Sequence, residues 1–238
     1  MRALLRRLKP LAVGMRRDRE TGHLHYPVEG VRHFVRFPEE AIRARYRRAA
    51  FDGIYFHHYR PRGRDVVVDI GAGLGTEIIP LAHQAPELRY IAVEIQPWTY
   101  ECLCLTLAQL PPGFQPFGLA IAAGGPVRIS PTRAGIDASL AADAPVRVES
   151  VTWAEFVRRH GLTHIDLLKV NIEGAEKPLF DHIDLGMVQR VIVGVHDFRA
   201  ERGEGEHFRT RASVEGRLTG AGFRLKPVGE TWIFADRA

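Results

Sequence analysis

The sequence predicts an α/β fold with a doubly wound, mostly parallel seven-stranded sheet that ends in an antiparallel hairpin. At residues 66–77 a β-branched run leads into three glycines and a helix start, VVVDIGAGLGTE. Strand-like and helix-like segments then alternate as far as residue 198, which is typical of parallel strands joined by crossover helices. Two strand-like segments around Gly229, FRLKPVG and ETWIFADR, close the chain and predict the hairpin at a sheet edge.

The length of 238 residues accommodates one α/β domain and an appendage. We expect a basic N-terminal extension at residues 1–60 and the main domain at residues 61–238. Residues 1–65 carry 16 Lys and Arg against 7 Asp and Glu, whereas the whole chain has a net charge of only +5. Such a segment is typical of a nucleic-acid or membrane contact or of a solvated face. The charges are interspersed with acids, which favours the solvated face, and a nucleic-acid partner is not expected.

The N-terminal extension contains three candidate elements. Residues 3–13 could form a basic amphipathic helix cut by Pro10, which would either contact a membrane surface weakly or fray. Residues 23–36 have two β-like runs around a Glu-Gly pair and predict a hairpin. Proline and acids open a predicted helix over residues 38–51. The first residues lack the continuous apolar core of a signal peptide, so a cytoplasmic location is expected.

The glycine turn is the strongest indication of a ligand site. A strand that enters a helix through glycines leaves backbone N–H groups unpaired and lets a ligand approach the backbone. Gly71, Gly73 and Gly75 alternate as G-x-G-x-G, whereas the dinucleotide fingerprint is G-x-G-x-x-G. Asp69 would bind the ammonium of S-adenosylmethionine and repel a pyrophosphate. The alternative is an ordinary βα turn that holds no ligand.

The elements after the turn extend a nucleotide-binding unit. Residues 76–83 predict a helix, and residues 89–94 predict the second strand, which ends in Glu94. A carboxylate at this distance from the glycines can accept hydrogen bonds from both ribose hydroxyls. Residues 97–110 predict a helix, and residues 115–122 predict a third strand whose end would face an adenine. The glycine turn and the acid together favour a cofactor that contains ribose.

An insertion precedes the second half of the sheet. Residues 127–151 contain two short β-like runs, VRIS and VRVES, and predict an inserted hairpin or a flexible lid. Thr152 and Glu155 form a T-x-x-E capping box, which predicts a helix that ends at Gly161. Upstream of the glycine strand, the aromatic and histidine cluster at residues 55–59 would either cover the cofactor or simply pack.

Polar side chains follow the next two predicted strands, residues 164–171 and 188–196. A buried parallel strand does not normally end in several polar groups unless they face solvent or act in a site. Because ligands bind beyond the carboxyl ends of parallel strands, these groups should lie beside the glycine turn. The first strand supplies Lys169, Asn171, Glu173 and Glu176, and the second supplies His196 and Asp197.

The segment IDLLKVNIEGAE, residues 165–176, resembles the hallmark D-L-L-K-x-D-x-E-G-A-E of the FkbM family of S-adenosylmethionine-dependent methyltransferases. The glycine motif, the acid of YIAVE, the capped helix and the histidine of VIVGVH support the resemblance over residues 55–198. It implies the class I methyltransferase (Rossmann-like) fold and methyl transfer to a hydroxyl of a small molecule, a sugar or a lipid-linked glycan. Asn171 replaces the family's usual aspartate, and an amide cannot take a proton.

The resemblance and the residue pattern together define the expected site. His196 is the first candidate for a general base, because its ordinary pKa of about 6.5 lies near neutrality. Glu173 is the second, as a base or as the group that orients the acceptor, and Asn171 completes the catalytic set. The alternative for His196 is a purely structural hydrogen bond. We expect S-adenosyl-L-methionine to contact Asp69, Gly71, Ala72, Gly73, Gly75, Glu94, Ile95 and Ile121.

Other functions remain open at this point. No metal is expected, although Asn171, Glu173, His196 and Asp197 could form an oxygen-rich divalent site. A nucleic-acid amine methyltransferase would suit the basic extension but should carry an Asn/Asp-Pro-Pro-aromatic run after the fourth strand. The replacement of the aspartate by Asn171 is compatible with a non-catalytic cofactor-binding protein. A dehydrogenase is disfavoured by the glycine spacing, and the sequence does not indicate an oligomeric state.

Overall fold

The computed structural model describes residues 14–41, 51–125, 127–130, 139–140 and 144–237. Its strands are β1 (Arg16–Arg17), β2 (Leu24–Val28), β3 (Val31–Val35), β4 (Val66–Ile70), β5 (Arg89–Val93), β6 (Phe114–Phe117), β7 (Ala120–Ile121), β8 (Val127–Ser130), β9 (Ser139–Leu140), β10 (Val146–Val148), β11 (Ser150–Val151), β12 (Leu167–Val170), β13 (Arg190–Gly194), β14 (Phe223–Val228) and β15 (Trp232–Arg237). Its α-helices are α1 (Ile78–Gln84), α2 (Pro97–Leu107), α3 (Trp153–Arg159), α4 (Glu176–His182), α5 (Asp197–Glu201) and α6 (Arg211–Gly220).

Seven strands form the main sheet, in the order β14-β15-β13-β12-β4-β5-β6. The five strands from β13 to β6 run parallel, and β15 is antiparallel to both β13 and β14. This arrangement confirms the predicted doubly wound, mostly parallel sheet with a C-terminal antiparallel hairpin. From β4 the chain proceeds outward to β5 and β6 and then returns to β12 on the opposite side. The carboxyl ends of β4 and β12 therefore flank the crevice in which such sheets bind ligands.

Both faces of the sheet are covered by apolar side chains, as a buried parallel sheet requires. In β12, Leu168 and Val170 belong to the core that includes residues of α3 and α4. Leu167 belongs to the opposite core, together with Val67 of β4. Because side chains alternate along a strand, Lys169 lies on the same face as Leu167, where it is only 1% exposed. A charged side chain at this depth requires partners, which are described below.

Residues 115–122, which are predicted to form a single strand, the third of the sheet, are divided between two strands. Residues 114–117 form the edge strand β6, whereas β7 leaves the main sheet and pairs in parallel with β11. The break falls at Gly118, where a Cβ would lie only 2.7 Å from the ring of Tyr100 on α2. The chain thus turns away where the helix presses against the backbone, and β7 is directed toward the crevice.

The insertion at residues 127–151 contains the two predicted β-like runs as paired strands. β10 and β9 both pair antiparallel with β8 in a small separate sheet. The predicted cap of α3 is also present, because the Thr152 side chain accepts a hydrogen bond of 3.2 Å from the Glu155 N–H. Val127 and Ile129 of β8 line a cleft at the carboxyl ends of β4 and β5.

The N-terminal strands β1, β2 and β3 form an antiparallel sheet that lies against α2. The N–H of Phe34 donates to Thr106 Oγ1 of α2 at 3.1 Å. His33, the preceding residue, reaches the glycine turn, and its Nε2 lies 2.9 Å from the Leu74 carbonyl oxygen. This sheet contains the predicted hairpin, whereas the expected helix at residues 3–13 lies outside the described residues.

A helix begins at residues 38–41 as predicted, and a π-helical turn occupies Phe51–Tyr55; residues 42–50 of the predicted helix are not described. A short 3₁₀ turn at Glu206–Phe208 precedes α6. Within the described ranges, no helix has both the length and the apolar character needed to cross a membrane.

Candidate active site

The glycine turn connects β4 to α1 and is packed tightly between neighbouring elements. Gly71, Gly73 and Gly75 all have positive φ, at +83°, +60° and +71°. A Cβ on Gly71 would lie 2.0 Å from the Asn171 carbonyl oxygen, and a Cβ on Gly75 would lie 2.7 Å from Leu103 of α2. These glycines are therefore needed for close packing as well as for any ligand. The turn is in direct backbone contact with the polar loop that follows β12.

Glu94 lies beside the turn, where the sequence analysis expects a ribose contact. Its Oε2 accepts a hydrogen bond of 2.8 Å from the Gly73 N–H, and its Oε1 accepts one of 2.8 Å from the Gln96 N–H. The side chain is buried. These bonds fix the carboxylate at the carboxyl end of β5, next to the glycines. The contact with ribose itself stays a prediction.

An apolar cleft opens at the carboxyl ends of β4 and β5. Gly71, Ile95 and Ile121, all expected cofactor contacts, line this cleft. Val127 and Ile129 of β8 line it from the inserted sheet. The expectation that the glycine N–H groups are unpaired is wrong for this turn, because those of Gly71 and Gly75 donate to backbone carbonyls and that of Gly73 donates to Glu94. An apolar cleft beside a fixed carboxylate is compatible with an adenosine-containing cofactor, and the placement of its base and ribose stays a prediction.

Asp69 has protein partners that the sequence analysis does not anticipate. Its carboxylate is completely buried, with Oδ1 2.7 Å from Lys169 Nζ and Oδ2 accepting a 2.6 Å hydrogen bond from the Tyr90 hydroxyl. Lys169 Nζ also lies 2.9 Å from Glu77 Oε1. Binding of the cofactor ammonium by Asp69 stays a prediction, but the described contacts place the carboxylate inside the protein. Glu77 is missed by the sequence analysis, although an acid directly after the G-T pair is a detectable signal.

Four ionisable side chains come together where the loop after β12 meets the residues that follow β13. His196 Nδ1 lies 2.7 Å from Glu176 Oε1, and His196 Nε2 lies 3.3 Å from Glu173 Oε1. Arg199 donates a 3.0 Å hydrogen bond to the other oxygen of Glu173. The predicted pair of His196 and Glu173 is therefore in contact. Glu176 and Arg199 complete a network that the sequence analysis does not assign.

The network keeps His196 protonated at neutral pH. Burial alone would lower the pKa of His196, but its hydrogen bonds and charge interactions with Glu173 and Glu176 outweigh burial and raise the pKa to about 9. Burial would likewise raise the pKa of Glu173, yet His196 and Arg199 lower it below its ordinary value. The resting site therefore contains an imidazolium between two carboxylates. This state differs from the neutral base that an ordinary histidine would supply.

Asn171 and Asp197 have different surroundings from the His196 network. The backbone of Asn171 bonds to β4, with its N–H donating to the Ile70 carbonyl oxygen at 2.9 Å. Its side-chain oxygen lies against Gly194, where a Cβ would be 2.9 Å away. The Asp197 carboxylate accepts hydrogen bonds from the backbone N–H groups of residues 210 and 211 at the start of α6. Among the described residues, no group of three or more His, Cys, Asp or Glu side chains is arranged to hold a metal ion.

The aromatic cluster at residues 55–59 contacts the sheet rather than the cleft. The ring of Tyr55 faces Lys169 Nζ, with 5.0 Å between the centroid and the nitrogen, and packs edge-on against Trp232. His57 and His58 are exposed, and His58 lies against Phe234 of the C-terminal hairpin. The two histidines therefore fit the second interpretation of this cluster, in which it packs against the protein and does not cover the cofactor.

The chain is similar to one known protein family and to several solved structures. The methyltransferase FkbM domain matches residues 69–225 of the chain. An O-methyltransferase family protein from Burkholderia thailandensis is 14% identical, with a TM-score of 0.51 over 84% of this chain and 59% of that chain. Precorrin-6y C5,15-methyltransferase from Geobacter metallireducens GS-15 is 13% identical, with a TM-score of 0.49 over 82% and 88%. Fibrillarin from Aeropyrum pernix, solved with natively bound S-adenosyl-L-methionine, is 14% identical, with a TM-score of 0.46 over 92% and 84%. No curated protein matches the chain.

The sheet order, the glycine turn and the apolar cleft beside Glu94 together define a class I S-adenosylmethionine-dependent methyltransferase. The domain match includes the turn, the polar loop after β12 and the end of β13. The chain therefore belongs to the FkbM methyltransferase family, and its cofactor is S-adenosyl-L-methionine.

Proposed function

We propose that the chain transfers the methyl group of S-adenosyl-L-methionine to a hydroxyl group of a small molecule or a glycan. The observation that carries this proposal is the carboxylate of Glu173, which His196 and Arg199 hold in the loop whose Asn171 contacts the glycine turn. The side chain of Glu173 is 16% exposed, whereas that of Glu176 has no exposure. Of these two carboxylates, Glu173 is the one that an acceptor hydroxyl could reach.

The backbone of Glu173 supports a functional role. Its φ of +52° lies in the left-handed region that non-glycine residues rarely adopt. Strain of this kind, of order 1–3 kcal/mol, persists only where the surroundings enforce it and is concentrated at functional sites. The next residue, Gly174, packs against Phe208, and a Cβ there would lie 2.7 Å from the ring. The 3₁₀ turn therefore holds the loop in a conformation that presents Glu173.

The proton of the acceptor must leave as oxygen accepts the methyl group. We assign its acceptance to Glu173 and the holding of that carboxylate to His196, which reverses the order of the two candidates in the sequence analysis. The reason is that both ring nitrogens of His196 already have carboxylate partners, and its pKa of about 9 leaves only ~1% of it neutral at pH 7. Because the pKa of Glu173 is lowered, it acts mainly by orienting the hydroxyl and accepting its proton late.

The bound cofactor supplies an electrophilic methyl group, and the chain supplies alignment and exclusion of water. Alignment of two reactants lowers a barrier by about 7–11 kcal/mol, whereas a general base contributes a factor of about 10²–10⁴. Asn171, which lacks the proton-accepting carboxylate of the family's usual aspartate, is compatible with turnover because Glu173 remains.

The test is incubation of the purified protein with methyl-labelled cofactor and fractionated lysate. Label that enters a small-molecule or glycan fraction, resists mild alkali and is located on oxygen by NMR of the purified product indicates a methyl ether and supports the proposal. Label that alkali releases indicates a methyl ester, and label in RNA indicates a nucleic-acid acceptor; either result contradicts the proposal. Cofactor binding without labelling of any fraction would support the non-catalytic alternative.

A variant pair connects the result to the site. Glu173→Gln should lower kcat by about 10²–10⁴ with the cofactor Kd unchanged. Glu215→Gln, which changes a carboxylate on α6 paired with Arg211, is the matched control and should keep wild-type turnover.

A further inference from the structure

A buried charged cluster lies at the base of the glycine turn, outside the proposed acceptor site. Its centre is the ammonium group of Lys169, which is 2.7 Å from Asp69 Oδ1 and 2.9 Å from Glu77 Oε1. The side chains of these three residues are at most 1% exposed. The Tyr90 hydroxyl donates to the second oxygen of Asp69, and the Tyr55 ring faces the ammonium. The Lys169 ammonium thus contacts the ends of two other elements, β4 and α1.

The two carboxylates flank the turn in the sequence. Asp69 lies two residues before Gly71, and Glu77 lies two residues after Gly75. Asp69 and Lys169 are also direct partners in the parallel pairing of β4 with β12. The ammonium of Lys169 therefore bonds to the residue just before the turn, Asp69, and to the residue just after it, Glu77. The distance between these two points fixes the shape of the glycine segment between them.

We propose that Lys169 is a positioning residue that closes the base of the cofactor turn by bonding to both Asp69 and Glu77. Lys169 acts through these carboxylates and makes no contact with the cofactor itself. Because β12 continues within two residues to Asn171, the same bonds also fix the turn relative to the loop that carries Glu173. This role rests on the cofactor site and does not depend on the identity of the methyl acceptor.

Stability alone does not account for the cluster. Replacing a buried ion group by apolar residues of similar volume is often neutral or stabilising, because desolvation offsets the attraction between the charges. Three apolar side chains would therefore serve a purely structural purpose at least as well. Burial disfavours the charged form of Lys169, yet Asp69 and Glu77 hold its pKa above the ordinary value, so the ammonium persists. Apolar side chains could not bond to Asp69 and Glu77 at once, as the ammonium of Lys169 does.

The experiment measures the affinity of the full-length protein for S-adenosylhomocysteine by calorimetry. Lys169→Met keeps an unbranched apolar stem but removes the ammonium, and it should raise Kd at least tenfold. The matched control is Leu168→Ala, the next residue on the same strand, which is fully buried on the opposite face. It should lower the melting temperature and leave Kd within twofold of the wild type. Equal losses of affinity in both variants would mean that general destabilisation is the cause and would overturn the proposal.

A double-variant cycle tests the bridge itself. Glu77→Gln breaks one side of it and should raise Kd at least threefold, and this variant remains informative if Lys169→Met fails to fold. The double variant Glu77→Gln/Lys169→Met should bind no more weakly than Lys169→Met, because both changes break the same connection. Wild-type affinity of a folded Lys169→Met or of Glu77→Gln, or strictly additive losses, would refute the bridge.

Hydrogen exchange gives a readout that is independent of the cofactor. In Glu77→Gln the amides of residues 71–77 should exchange at least tenfold faster, while those of β13 keep their wild-type protection. Faster exchange throughout the sheet would indicate a general structural role instead and would contradict the proposal. If wild-type protein transfers no methyl group to any hydroxyl, the proposed reaction fails, whereas these binding and exchange results still decide the role of Lys169.

Discussion

The protonation of His196 makes stability depend on pH in a direction that can be measured. Folding raises the pKa of His196 from 6.5 to about 9, so its proton stabilises the folded state fully below pH 6.5. That contribution is lost as the pH rises through the folded-state pKa. The full shift corresponds to about 3 kcal/mol, and the part lost between pH 7 and pH 9 is about 2 kcal/mol.

The perturbation is His196→Gln, which removes the titrating group and retains a side chain that can hydrogen-bond. Urea unfolding followed by tryptophan fluorescence gives the free energy of unfolding of the wild type and the variant at several pH values from 6.5 to 9.5. The wild type should lose about 2 kcal/mol more than His196→Gln between pH 7 and pH 9. The exposed His57 supplies the control, and His57→Gln should follow the wild-type curve.

Parallel pH curves for the wild type and His196→Gln would refute the reasoning, because they would show that folding does not raise the pKa of this histidine. Nuclear magnetic resonance of the imidazole gives a second, direct measurement. The His196 ring should titrate with a midpoint of about 9. In Glu173→Gln the midpoint should be lower, because one of the two carboxylates that favour the proton is removed.

Three further predictions concern the cofactor turn. Gly71→Ala should destabilise the protein by more than 4 kcal/mol or prevent folding, whereas Gly125→Ala, at the same φ of +83° but with open space around it, should cost only about 1–2 kcal/mol in urea unfolding. Glu94→Ala should raise the Kd for S-adenosylhomocysteine about 10- to 100-fold in calorimetry, and an unchanged Kd would remove the ribose contact from the site. His33→Leu should lower the free energy of unfolding by about 1–3 kcal/mol, because the buried carbonyl of Leu74 loses its partner.

The strands and the turn are predictable from the sequence because their signals are local. The β-branched run of β4 and the glycines after it specify a strand and a left-handed turn within ten residues. The cap of α3 needs only Thr152 and the residue three positions later. Glu94 is found because the spacing between a glycine turn and the next strand end varies little in βαβ units.

The chemistry of the ionisable groups is not predictable in this way, because it depends on residues far apart in the chain. Asp69 and Lys169, which bond to each other, are separated by 100 positions. The charge of His196 depends on Glu176, twenty positions earlier, and on Glu173 in the same loop. Pattern analysis can place these residues at one edge of the sheet. It cannot decide which carboxylate faces the ligand and which is neutralised inside the protein.

The third strand failed as a single element for a similar reason. Residues 115–122 are predicted as one strand although they include Pro116 and Gly118, and the ring of Tyr100 on the preceding helix reaches the backbone at Gly118. No periodic pattern in the sequence predicts a contact between a helix and the strand that follows it. Gly118 is a local indication of a break, and the contact with Tyr100 is the tertiary feature that the sequence pattern does not contain.

The contact between the N-terminal sheet and α2 has a consequence for the order of events during synthesis. The β2–β3 hairpin is local and can form soon after translation, but Phe34 bonds to Thr106, a residue 72 positions later. At about 5–20 residues per second, the ribosome needs roughly 4–14 s to produce that partner. Leu74, the partner of His33, is made earlier, but Gly75 of the same turn packs against Leu103 of α2 and gains this contact only after the helix has been made. We therefore expect the methyl-donor site of the nascent chain to mature late, only after α2 has emerged and the hairpin has docked.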